Sequence, residues 1–286
     1  MSCHYYVLTR FNIRLWTKDK KGKPTQTEEW LKKRFELFEQ YCLPSVANQS
    51  VKNFKWIVLF DSETPEVYKK KIDEYACRCE QFTPHYVAPA EGRYFIRIFQ
   101  KIILENINLG DVIITTYLDN DDALRYDYVE EVQRLAGQVR NRTFISFKYG
   151  IQYFTELNIA TRVAYRNNHF LSFIEKYEEN VRLRTVMGYG SHIYVGRYKG
   201  TEALFVETPE NEKWIELVHD TNMDNDVRMT FDTHLITDLK KLKNDFGINL
   251  ELAKNSTSIF YTVFLKRTIK EIFRHVRLKI VGRKWN

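Results

Sequence analysis

The sequence predicts an α/β fold built on a mostly parallel, doubly wound sheet, and three observations predict it. Short apolar runs rich in β-branched residues recur through the first 120 residues, segments with helical apolar spacing separate them, and the runs end on polar residues, Arg10, Asp61 and Asp119. Strands that alternate with helices call for parallel pairing, because a parallel connection needs a crossover long enough to hold a helix. Ligands of such sheets gather at the carboxyl ends of the strands.

Each element follows from its residues. Tyr5 to Thr9 reads as the first strand; Leu31, Phe35, Phe38 and Cys42 then recur at i, i+4, i+7 and i+11, the stripe of an amphipathic helix. Phe54 to Phe60 is a second buried strand ending at Asp61, and Thr64-Pro65-Glu66 supplies helix-start chemistry for the segment to about Tyr75. His85 to Val87 is a short third strand. Ile96, Phe99, Ile103 and Ile107 mark a helix that leads to Gly110 and the strand from Asp111. Beyond Asp122 the pattern is less regular: Thr143 to Phe154 and Ile159 to Tyr165 read as strands, Phe170 to Glu178 as a helix, and Ser191 to Val195 as another strand.

The fourth strand carries the main chemical signal. Val112-Ile-Ile-Thr-Thr-Tyr-Leu118 runs into Asp119, Asn120, Asp121 and Asp122. Strand alternation would set Asp119 and Asp121 on one face. Adjacent carboxylates repel and desolvate poorly unless a cation or hydrogen-bond donors compensate them. A divalent ion, Mn²⁺ or Mg²⁺, does this while leaving coordination positions for water and phosphate oxygens. The alternative is a turn whose Asp and Asn side chains cap a helix starting near Tyr126.

Composition narrows the class. Hydrophobic content of 44% excludes a disordered chain. The net charge of +7 is concentrated in residues 262–286, where Lys266, Arg267, Lys270, Arg274, Arg277, Lys279, Arg283 and Lys284 face one acid, Glu271. The preceding body is neutral, which argues against an extended nucleic-acid track. Cys3, Cys42, Cys77 and Cys79 include no C-x-x-C pair and read as reduced structural thiols. The first ten residues are too short and polar for a signal peptide, and no run approaches the roughly 18 apolar residues of a membrane span. The expectation is a cytoplasmic protein that meets a membrane only on its inner face. Leu265, Ile269, Ile272, Phe273, Val276 and Ile280 interleave with the tail's cations, the pattern of a basic amphipathic helix on an anionic membrane surface or of a terminal helix packed on the body.

Arg34 to Gln49, Phe54 to Pro65, Thr115 to Leu124, Gly190 to Val195 and Trp214-Ile-Glu-Leu-Val-His-Asp-Thr-Asn222 together resemble the rhamnosyltransferases, a bacterial glycosyltransferase family of GT-A fold. The resemblance implies a nucleotide-sugar donor, a divalent metal on its diphosphate and sugar transfer to a hydroxyl of a glycan or lipid-linked acceptor in surface-polysaccharide assembly. It also implies a GT-A domain over residues 1–259, with a nucleotide-binding half to about residue 125, followed by the basic tail. Carried over, Asp121 is the direct metal ligand, Asp119 the nucleotide-side partner that also neighbours the metal, and His219 the late histidine of the metal shell. The run Asp119-Asn-Asp-Asp122 admits two registers, Asp119 with Asp121 or Asp121 with Asp122.

Arg10, Asp61, Asn120 and Asp122 are further candidates for the nucleotide-sugar pocket, with His192 on the diphosphate or acceptor side. Arg93 and Arg97 offer guanidinium groups suited to phosphate. Tyr149, Tyr153, Phe154, Tyr165 and Tyr189 supply aromatic surface, of which one or two rings are expected to stack on the acceptor. A general base is open among Glu175, Asp220, Asp224 and Asp226; the stretch Asn167-Asn-His-Phe170, where many inverting GT-A enzymes carry an acidic pair, has no acid. Two rivals remain at this level. A nucleotidyltransferase would want a glycine-rich loop after the first strand, which Phe11 to Trp16 lacks. A non-catalytic protein would act at membrane surfaces through its basic tail.

Overall fold

The computed structural model describes residues 2–16, 18, 22, 24–219, 233–266 and 269. In chain order the elements are β1 (Cys3–Arg10), α1 (Glu28–Leu37), α2 (Leu43–Ala47), β2 (Lys55–Asp61), α3 (Glu66–Arg78), β3 (Phe82–Val87), α4 (Phe95–Leu104), β4 (Val112–Tyr117), β5 (Ala123–Leu124), α5 (Tyr128–Ala136), β6 (Thr143–Phe147), β7 (Tyr149–Phe154), β8 (Ile159–Ala164), β9 (Leu171–Lys176), β10 (Glu202–Val206), β11 (Trp214–Val218), β12 (His234–Ile236) and α6 (Leu239–Phe246).

Seven strands form the main sheet in the order β10-β6-β9-β4-β1-β2-β3. The β1–β2, β2–β3, β1–β4 and β6–β10 pairs are parallel, and β9 runs antiparallel between β4 and β6. This is the mostly parallel, helix-flanked α/β architecture that the sequence predicts. The order reverses between β1 and β4, so their carboxyl ends open a crevice at a topological switch point.

Both faces of the sheet are apolar because both are covered. Val7, Val58, Phe60 and Ile114 pack with Phe35, Phe38 and Tyr128 on one face, while Leu8, Ile57, Leu59 and Ile113 pack with Phe99 and Ile103 on the other. A second sheet, β12-β8-β7-β11-β5, lies over a third apolar cluster that includes Ile151, Tyr153, Ile215 and Leu217. Within it Gly150 permits close packing of Trp214: a Cβ at Gly150 would lie 2.1 Å from the indole.

Two segments depart from the expected elements. Phe170 to Glu178 is occupied by the strand β9 rather than a helix. Its apolar residues at 170, 171, 173, 174 and 177 mimic helical spacing because a central strand buried on both faces needs no alternation. Around Ser191 to Val195 the chain makes a 3₁₀ turn, His192–Tyr194, between the left-handed Gly190 and Gly196, instead of a strand. No helix among the described residues is long and apolar enough to cross a membrane.

Candidate metal and nucleotide site

The aspartates sit in a turn beyond β4, not on the strand. The Asp122 amide donates to the Asp119 carbonyl at 3.3 Å, and strand alternation stops there. The side chains consequently diverge instead of sharing a face, so the alternation argument does not extend past Tyr117. Nor do they cap α5, which begins at Tyr128 without a side-chain cap.

Asp121 turns inward toward α1. Thr27 caps that helix, accepting from the Trp30 amide at 3.2 Å, and the helix delivers Arg34 to the turn. The Arg34 guanidinium donates to Asp121 Oδ2 at 2.6 Å and to Asn120 Oδ1 at 3.2 Å. His219 Nε2 lies 2.8 Å from the same Asp121 oxygen. Burial alone would raise the Asp121 pKa, but Arg34 and His219 outweigh it and hold the carboxyl well below its ordinary range. The Asn120 amide also donates to the Phe11 carbonyl at 2.9 Å, tying the turn to the chain after β1.

Asp122 turns toward the second sheet. Its Oδ1 accepts from the Leu217 amide of β11 at 2.9 Å, and its Oδ2 lies 2.8 Å from His169 Nε2. Burial, with repulsion from Asp121 and Asp119, pushes the Asp122 carboxyl up against the pull of His169. Burial would lower His169, yet the Asp122 carboxylate, helped by Glu216 and Asp119, raises it. Asp122 and His169 thus form a proton-retaining pair.

Asp119 is the open member, its side chain 38% exposed. It accepts from the Tyr117 hydroxyl, lies 3.9 Å from Arg10 and 4.0 Å from His169. Arg10 donates to Tyr117 at 2.6 Å and lies over the Phe95 ring at the start of α4. Ligand atoms of Asp119, Asp122 and His169 all fall within 4.8 Å of one another. Two carboxylates and an imidazole this close are a donor set that fits a divalent metal.

His169 is the residue the sequence reading passes over. The register Thr116↔Ser172 runs β9 antiparallel to β4, which brings the residues just before β9 beside the aspartate turn. Reading that segment as a helix removes this proximity.

Other expected residues divide by location. His192 reaches the mouth of the cluster, its ring 6.0 Å from that of His169. Asp61 lies at the end of β2, where it accepts from Arg14 Nε at 2.7 Å and from the Glu63 amide. Arg93 and Arg97 flank Tyr94, each guanidinium over its ring, beside the start of α4. Glu175 is not brought to the cluster: it pairs with Ile113 near the opposite end of β4 and accepts from the Arg184 and Thr185 amides. Asp220, Asp224 and Asp226 lie outside the described residues. Of the aromatics, Tyr153 and Phe154 are buried, Tyr189 packs on Phe144 and Phe173, and Tyr165 faces His192.

Fold and site together define an α/β protein with a carboxylate- and histidine-rich cluster at the switch point of a mostly parallel sheet. The chain belongs to the family described as "Putative rhamnosyl transferase", which matches residues 4–230. No curated protein matches it. Among solved structures it is similar to residues 1–349 of S. aureus TarS at 11% identity and a TM-score of 0.33, over 51% of this chain and 35% of that one. A longer S. aureus TarS structure matches at 12% identity and a TM-score of 0.28, over 54% of this chain and 21% of that one. The chain thus spans about a third or less of those structures.

Proposed function

We propose that this protein is a metal-dependent glycosyltransferase that moves a sugar, rhamnose by the family's description, from a nucleotide-sugar donor to a hydroxyl of a glycan or lipid-linked acceptor in surface-polysaccharide assembly. The observation that carries this reading is the Asp119–Asp122–His169 cluster at the β1–β4 crevice. Those three residues would hold the cation, with Mn²⁺ favoured over Mg²⁺ by the imidazole. A bound cation supplies charge neutralisation for the departing nucleoside diphosphate.

The chain's own groups complete the assignment. Arg10, oriented by Tyr117 and Phe95, offers a second cation on the donor side of Asp119. Arg34 and Asn120 fix the turn, so the open carboxylate is presented by a rigid frame. Asp61, with Arg14, sits at the end of β2, where the nucleoside would lie. His192 and Tyr165 border the acceptor side. A second metal assignment, Asp121 with His219, is favoured by their 2.8 Å approach, but Arg34 already neutralises that carboxylate.

The test is a thermal-shift panel with UDP-, GDP-, CMP- and dTDP-sugars, each with Mn²⁺, Mg²⁺ or EDTA. A donor at a hundred times its Kd adds about 2.7 kcal/mol. The proposal expects a shift with one nucleotide class that EDTA abolishes. No shift with any donor from a folded protein would contradict it.

A further inference from the structure

A groove of about 560 Å³ runs along α4, between that helix and the chain that follows β9. Arg97, Gln100, Lys101 and Leu104 form one wall, since residues at i, i+3, i+4 and i+7 share a helix face, and Tyr177, Val181 and Leu183 form the other. The buried Gln100 ties the walls together. Its side-chain amide donates to the Leu183 and Arg184 carbonyls at 2.8 and 3.2 Å, and its oxygen accepts from the Arg182 guanidinium at 3.1 Å.

The two ends of the groove differ in chemistry. α4 begins beside Arg10, at the carboxyl edge of the sheet, and from that end to its middle the groove is lined by Arg97, Lys101 and Arg182. All three are exposed, and none forms an ion pair among the described residues. A rise of about 1.5 Å per residue sets Leu104 about 10 Å further along the helix. There Leu104, Val181 and, beside Tyr177, Leu109 are 39, 38 and 60% exposed, with one acid, Glu105. Inorganic phosphate would satisfy the cations and leave the apolar end in water, and a neutral lipid would do the reverse. An alkyl or isoprenoid chain that ends in a phosphate satisfies both. We infer that this groove seats the lipid phosphate of a lipid-linked acceptor, with the phosphate on Arg97, Lys101 and Arg182 and the chain running past Leu104 and Val181. The inference rests on the glycosyltransferase reading and narrows its acceptor: the phosphate end of the groove is the end nearer Arg10 and Asp119, so a sugar carried on that phosphate is directed toward the cluster.

The test is isothermal titration calorimetry of the full chain with dodecyl phosphate, kept below its micelle concentration. Saturable one-to-one binding is expected, with inorganic phosphate and dodecyl maltoside each at least about tenfold weaker, because each meets only half of the groove. An acidic amphipathic peptide should not saturate. Lys101→Glu should weaken dodecyl phosphate by at least about tenfold and leave dodecyl maltoside unchanged. Leu104→Ser combined with Val181→Ser, both at exposed positions, should weaken dodecyl phosphate by at least about fivefold, with the circular dichroism spectrum unchanged. No saturation, equal binding of either control, saturable binding of the peptide, or variants that bind dodecyl phosphate like the parent would each overturn the inference. Donor-induced thermal shifts should be the same in parent and variants, so failure here is distinguishable from failure of the glycosyltransferase reading.

Discussion

Asp121–His219 and Asp122–His169 share the same oxygen-to-nitrogen separation, 2.8 Å, and differ in what else touches the carboxylate. At Asp121 a guanidinium occupies the same oxygen, so the negative charge is balanced within the protein. At Asp122 the remaining contact is a neutral backbone amide, and an open carboxylate, Asp119, stands nearby. The first pair is neutralised by Arg34 and anchors the turn to α1, whereas the second holds its proton beside the open carboxylate of Asp119. Local charge balance, rather than proximity to histidine, sets the two aspartates apart.

The largest expected effect strips the first pair of its guanidinium. Arg34→Leu leaves Asp121 buried without its guanidinium and should cost about 3–5 kcal/mol in urea unfolding. Adding Asp121→Asn should recover much of the loss. An Arg34→Leu protein as stable as the parent would mean that the guanidinium does not anchor the turn.

A smaller effect strikes both pairs together, because β11 carries the Leu217 amide and leads to His219. Gly150→Ala drives a methyl into the Trp214 ring, and overpacking of this kind costs about 1–3 kcal/mol. Thermal unfolding should record it, with altered tryptophan fluorescence; an unchanged transition would show that β7 and β11 are not so tightly packed.

The smallest effect concerns acid. Asp121's folded pKa lies below its unfolded value of about 3.9, so ionisation adds stability above about pH 4, and this is lost as pH falls through the folded pKa. Chemical denaturation from pH 6 to 2 should give a steeper acid loss in the parent than in Asp121→Asn. Parallel curves would contradict the assigned depression.

The same contrast explains what was legible in the sequence. The regular half, β1 to β4, was legible because crossover helices and buried strands have different periods, and the ends of β1, β2 and β4 carried polar markers. The turn's importance was legible too, since three carboxylates after a buried strand need compensation. The compensators were not. Arg34 reads as one more polar position on an amphipathic helix, and its burial is set by a contact with a turn 86 residues away in sequence. His169 was hidden by β9, whose two buried faces erase the alternation that identifies a strand. Which histidine serves which aspartate is decided by an antiparallel register, and register is a tertiary property.

The most direct test of the central claim is Mn²⁺ titration, followed by electron paramagnetic resonance, of the parent, His169→Ala and His219→Ala proteins. Loss of even supporting groups around a metal costs 10- to 100-fold in affinity, so removing a ligand should cost at least about 100-fold. That loss is expected for His169→Ala, and a change of only a few-fold for His219→Ala. The opposite pattern would assign the cation to Asp121 and His219 and contradict the reading of the two pairs.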